Sequence, residues 1–187
     1  MRRFIVLAIA VLGLGACAPT GGLLVSEDAR DLGGNLFIEK ASNGGSFLVL
    51  DGEITPQTSF VFQAVSDQTE VQGLVIAQSP GGDLLAAHQI GRSIKRNRMN
   101  TLVLVSCISA CVDIFVAGQN REMTDIAELG LHSATNRDVS YEIDKKYWSE
   151  MGFPTVNEKA YMVPNNRLWI MDAQRARELR VATNILR

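Results

Sequence analysis

Runs and alternations of apolar residues divide the chain into segments of two periods. Residues 47–50 (Phe-Leu-Val-Leu) form an unbroken apolar run closed by Asp51-Gly52, the mark of a buried strand entering a turn. Pro56 sits near the start of a helical stretch with Phe60, Phe62, Ala64 and Val65 as its apolar positions. Residues 71–77 are a second, β-branched run, stopped by Ser79-Pro80-Gly81-Gly82. Asp83 then suits a helix N-cap, and Leu84, Ala87, Gly91 and Ile94 follow at helical spacing. Arg92, Lys95, Arg96 and Arg98 decorate the exposed face of that helix and favour its C-terminal end. Residues 101–105 predict a third strand, which enters Ser106-Cys107-Ile108-Ser109-Ala110-Cys111 and a short apolar helix to Ala117-Gly118. Short strands are expected near 121–124 and 128–132, then helices from Val139 to about Met151 and over 172–179. Strand–helix alternation of this kind predicts βαβ units and a largely parallel sheet, an α/β fold.

The first residues follow a different pattern. Met1-Arg2-Arg3 is a positive start, and residues 4–14 are continuously apolar, short for a membrane span but right for the core of a secretory signal. Leu14-Gly15-Ala16-Cys17 resembles a bacterial lipobox, in which cleavage precedes a cysteine that is then acylated. An ordinary cleaved signal is the plainer alternative. The organisation expected is a lipoprotein signal over 1–16, a Gly/Pro-bearing tether over 17–34 and a folded domain over 35–187. Two or more acyl chains on Cys17 would hold the protein stably, since each buried methylene contributes about 0.8 kcal/mol. Ala18 after the cysteine points to outer-membrane sorting in a Gram-negative envelope.

Composition agrees with one folded domain. The 187 residues are 47% hydrophobic and 20% charged, which excludes a disordered chain. Eighteen basic residues against 20 acidic ones argue against a nucleic-acid partner. Loss of residues 1–16 would remove Arg2 and Arg3, leave 16 basic residues against 20 acidic, and account for much of the mean hydropathy of +0.08.

Three places carry candidate chemistry. The paired glycines of Ser79-Pro80-Gly81-Gly82 let backbone amides approach a ligand closely. Ser109 stands where a strand feeds a helix, as a nucleophile or as an ordinary capping residue. His132 ends an apolar strand, as a base or as a histidine satisfied by backbone. His88, the other histidine, reads as partly buried packing. Cys107 and Cys111 flank Ser109, and either pair as a disulfide in an oxidising compartment or remain two small buried thiols. Tyr141, Tyr147 and Trp148 suit a lid, an interface or core packing alike. Three cysteines lack a zinc-site spacing and no phosphate-binding glycine motif occurs, so no metal or cofactor is expected.

Ser-Pro-Gly-Gly, a serine 27 residues after Gly82 and a histidine 23 residues after that resemble the Clp/crotonase superfamily. The likeness is nearest to the Clp protease proteolytic subunit and to small periplasmic Clp-protease-like lipoproteins. It runs over about 47–185, supported by Asp51-Gly52-Glu53-Ile54, Phe115-Val116-Ala117-Gly118 and Leu179-Arg180-Val181. It implies a ββα superhelix with a largely parallel sheet and flanking helices. It further implies Ser109 as nucleophile, His132 as base, and the amides of Gly82 and Ala110 as an oxyanion hole. The family's third member, an aspartate shortly before the last helix, falls near Leu168, where Asn165 and Asn166 stand instead. Asn166 and Asp138 are the candidates to replace it, with Asp144 a further source from the same insert. The segment between His132 and the last helix is shorter than in the ring-forming protease, which argues against a stacked double ring and leaves a homo-oligomer open.

Two functions are therefore expected. One is a membrane-anchored periplasmic serine hydrolase, a peptidase acting on peptide or protein substrates. The other is a catalytically degenerate lipoprotein that binds peptides or a protein partner in the same cleft. Absence of CoA outside the cytoplasm makes crotonase-like acyl-CoA chemistry a poor third.

Overall fold

The structure, a computed structural model, describes residues 25–42, 44–68 and 70–187; the signal, Cys17 and the first part of the tether lie outside them. The chain enters through an antiparallel meander, β1 (Arg30–Gly33), β2 (Leu36–Lys40) and β3 (Ser46–Asp51). From β3 onward the strands run parallel: β3, β4 (Val71–Ser79), β5 (Asn100–Ile108), β6 (Arg121–Thr124) and β9 (Asn184–Leu186). β5 is long enough to serve two neighbours. Thr101 to Val103 pair with β6, and Ser106 to Ile108 pair with β7 (Glu128–Leu131), which carries the antiparallel β8 (Trp169–Asp172) on its other edge. The sheet is thus mostly parallel, as the strand–helix alternation predicts.

Each crossover helix starts where its sequence allows. α1 (Pro56–Ser66) has Pro56 in its first turn and a reciprocal cap between Thr55 and Thr58. α2 (Leu84–Arg96) is capped by Asp83, whose side chain accepts the Ala86 N–H at 2.7 Å. α3 (Ala110–Val116) is seven residues long and buried throughout. α2 packs against both α1 and α3. Phe62 on α1, Ile90 on α2 and Phe115 on α3 are wholly buried with Leu50, Ile76 and Val103 of the sheet. Each such side chain contributes roughly 1.5–3 kcal/mol of burial. Phe60, expected on the apolar face of α1, instead lies 75% exposed; the helix buries only the stripe that contains Phe62.

The remaining elements are α4 (Arg137–Met151), α5 (Pro154–Tyr161) and α6 (Ala173–Glu178), the last capped by Asp172. The domain begins before residue 35, because Arg30–Gly33, read as tether, is an edge strand paired to β2. β2, α5, β8 and β9 also have no counterpart in the sequence reading. They are short, and strands of three to five residues are formed by their partners' open edges more than by their own pattern. No helix among the described residues is long and apolar enough to cross a membrane.

Candidate active site

Two turns at neighbouring strand ends meet directly. β4 leads into Ser79-Pro80-Gly81-Gly82, in which Gly81 and Gly82 take φ of +92° and +143°. Backbone bonds pin this turn: Ile54 N–H donates to Gly81 O and Asp83 N–H to Ile54 O, both at 2.8 Å. A Cβ on Gly82 would sit 2.1 Å from Ile54 O, so only glycine permits the approach. The neighbouring strand β5 ends in Ser109, held to β7 by Ser109 N–H donating to Gly130 O at 2.7 Å. Ser109 then turns the chain with φ +56° and ψ −132°, a conformation that L-residues rarely adopt. A Cβ on Gly81 would lie 2.6 Å from Ile108 O and 2.8 Å from the Ser109 Cβ, which measures how tightly the two turns abut.

The Ser109 side chain does not cap α3, so capping does not explain the residue. Its turn is instead clamped covalently. Cys107 and Cys111 form a disulfide across it with the Cα atoms 5.3 Å apart, the first of the two alternatives left open by their spacing. Ala110 opens α3 with an amide that has no acceptor in its own helix. The Gly82 amide has no hydrogen-bond partner among the described residues. These are the two donors an oxyanion would need.

His132 follows β7 and lines the same narrow pocket, of about 30 Å3, as Ser109 and Ala110. Its Nδ1 lies 2.8 Å from Ser133 O and 3.0 Å from Asn165 Nδ2. A carbonyl oxygen at that distance requires the proton on Nδ1, which leaves the Nε2 lone pair free to act as a base. Asn165 donates its amide to the same Ser133 O at 2.9 Å and so fixes the carbonyl that holds the ring. The residue beside His132 is therefore Asn165. Asn166 is exposed and has no contact with His132 among the described residues, and Asp138 lies at the surface beside Arg137 and Tyr141. No hydrogen bond joins Ser109 Oγ to His132 among the described residues.

The other histidine is not simple packing. His88 on α2 is 1% exposed, stacks on Tyr147 with ring centroids 3.9 Å apart, and faces two carboxylates. Its Nε2 is 3.3 Å from Asp113 Oδ2 and 3.1 Å from Asp144 Oδ1. Burial works to lower the His88 pKa, but the two carboxylates outweigh it and raise it to about 9. Burial pushes Asp113 up to about 6 against the opposing pull of His88. Burial, with Asp113 beside it, also holds the Tyr147 hydroxyl above its ordinary value. Asp113 and Asp144 share the pocket wall with Ser109 and His132. Asp113 was the residue sequence reasoning passed over, although a carboxylate inside the otherwise apolar Ala-Cys-Val-Asp-Ile-Phe-Val helix was a legible sign of a buried partner.

A mostly parallel sheet with crossover helices, a serine on a strained strand-to-helix turn and a glycine turn against it define a Clp-protease-like fold. Among solved structures the chain is similar to the 1510-N membrane-bound stomatin-specific protease, determined as a serine-to-alanine mutant, with a TM-score of 0.57 and 16% identity over 74% of this chain and 77% of that one. No protein-family model matches the chain, and no curated protein matches it.

Proposed function

We propose that the protein is a serine hydrolase, a peptidase, in which Ser109 is the nucleophile and His132 the general base. The observation that carries this reading is the Ser109 turn itself: a strained serine whose hydroxyl caps nothing, beside two unpaired amides and a histidine whose Nε2 is free. In this reading Ser109 Oγ attacks a peptide carbonyl as His132 Nε2 takes its proton. The developing oxyanion accepts from the Gly82 and Ala110 amides, and the imidazolium returns the proton to the leaving amine. Ser133 O, a neutral acceptor, orients the ring but stabilises its cation less than a carboxylate would. The neighbour's activity as a protease supports the same reaction class. Acylation at Cys17 would anchor the domain at the outer membrane, facing the periplasm, where no ATP-driven unfoldase feeds it; substrates are then short or already unfolded peptides.

The second reading, a peptide-binding lipoprotein without activity, is favoured by two observations. No carboxylate meets His132 among the described contacts, and no hydrogen bond joins it to Ser109. A fluorophosphonate probe separates the two. Stoichiometric labelling that disappears in Ser109→Ala and falls steeply in His132→Ala supports the hydrolase. Absence of labelling across about pH 6–9, where a histidine base is active, overturns it in favour of the binding protein.

A further inference from the structure

We propose that His88, Asp113 and Asp144 bind one divalent transition-metal ion of the zinc class, which ties helices α2, α3 and α4 together on the wall of the Ser109 pocket. The donors are one imidazole nitrogen and two carboxylate oxygens, all within 4.8 Å of one another and all from buried residues. Two ligands on a shared tetrahedral ion, each at about 2.0–2.1 Å, lie roughly 3.3 Å apart. The observed separations of His88 Nε2 from the two oxygens are 3.3 and 3.1 Å. Neither approach has hydrogen-bond geometry: His88 Nε2 and Asp144 Oδ1 are both buried without a hydrogen-bond partner. Two polar atoms brought this close without bonding each other call for a third body between them.

The surroundings fit an ion as well. Tyr161 donates its hydroxyl to Asp144 Oδ2, which orients the carboxylate and leaves Oδ1 free for a ligand bond. Asn157, 1% exposed, leaves its amide nitrogen unpaired on the wall of the same pocket, available to a water on the open fourth position. A pocket of about 30 Å3 has room for an ion and its water. Charge balances too: a neutral imidazole and two carboxylates offset a divalent cation, whereas without the ion a protonated triad buries a net negative charge. One nitrogen donor selects zinc-class ions over calcium and magnesium, which take oxygen ligands. The three ligands sit on separate helices, 25 and 31 residues apart, so no short motif announces them.

The test uses the purified chain, freed of metal by a chelator and then dialysed against Zn2+ or Co2+. One equivalent of ion per chain is expected. Cobalt should add visible absorption bands of a low-symmetry site. Unfolding midpoints should rise by about 5–10 °C at ion about a hundredfold above its Kd. Asp144→Asn, which keeps the shape, and His88→Gln should each lose the ion and the shift, while His132→Ala keeps both. No uptake by the parent chain overturns the site, as does loss of uptake in His132→Ala or unchanged uptake in Asp144→Asn. If His88→Gln does not fold, the cobalt spectrum of the parent and of His132→Ala still decides. Displacement of Zn2+ by equimolar Mg2+ or Ca2+ overturns the zinc-class assignment. None of these outcomes depends on whether Ser109 is a nucleophile.

Discussion

Replacing Ser109 by glycine should make the protein more stable while removing the group on which its proposed chemistry rests. The residue holds φ at +56°, where an L-side chain costs about 1–2 kcal/mol through contact of its Cβ with the following carbonyl. Glycine escapes that strain but brings about 0.5–1 kcal/mol of extra chain entropy to be lost on folding. The net gain is about 1 kcal/mol, or an unfolding midpoint about 2–4 °C higher for a chain of this size. Ser109→Ala provides the internal control. It keeps the Cβ and therefore the strain, and it removes a hydroxyl that caps no helix, so its stability should stay within about 0.5 kcal/mol of the parent. Both variants should lose fluorophosphonate labelling. The assay is urea and thermal unfolding of the three proteins without reductant, so that the Cys107–Cys111 bridge stays closed. If the glycine variant is no more stable than the parent, the Ser109 turn is not a site of stored strain and the reasoning fails.

Three further outcomes test the structure around that turn. Replacing Cys107 and Cys111 together by alanine should lower stability by about 2 kcal/mol, because closing so short a loop restricts the unfolded chain only modestly; a loss above twice that in urea unfolding would mean the bridge does more than restrict the unfolded chain. Asn165→Ala removes one hydrogen bond of about 1 kcal/mol from Ser133 O, so the rate of fluorophosphonate labelling should fall about fivefold while the fold persists by circular dichroism. An unchanged rate would show that the carbonyl needs no such support. On α1, Phe62→Ala should cost about 3–5 kcal/mol and Phe60→Ala less than about 0.5, read from urea midpoints; equal effects would contradict the buried stripe assigned to that helix.

The strained serine and its clamp also show how the site divides its demands. Ile108 and Gly130 hold one side of the turn through the sheet, the disulfide closes the other, and Gly81 packs beneath it. A conformation disfavoured by local sterics persists because surrounding bonds over-determine it. The same arrangement explains why the glycine pair cannot be read as flexible: the turn is held to Ile54 by bonds on both sides.

Periodicity alone was enough for β3, α1, β4, α2 and β5, because long apolar runs and capped amphipathic stretches can satisfy their backbones and bury a face in only one way. The order Gly-Gly, Ser, His along the chain likewise pointed to the pocket, since strand ends of a parallel sheet bring their connecting turns to one edge. What sequence could not decide was anything resting on partners distant along the chain. The edge strands β1 and β9 exist because β2 and β6 present open hydrogen-bonding groups. Asn165 rather than Asn166 serves His132, because only the fold aligns one of two adjacent amides with Ser133 O. The disulfide needed a turn that brings two Cα atoms to 5.3 Å. His88, Asp113 and Asp144 are unremarkable residues on three separate helices until packing removes water from around them and leaves their polar atoms facing one another. Local pattern determines which face of a segment is buried; only the tertiary structure decides what that face meets.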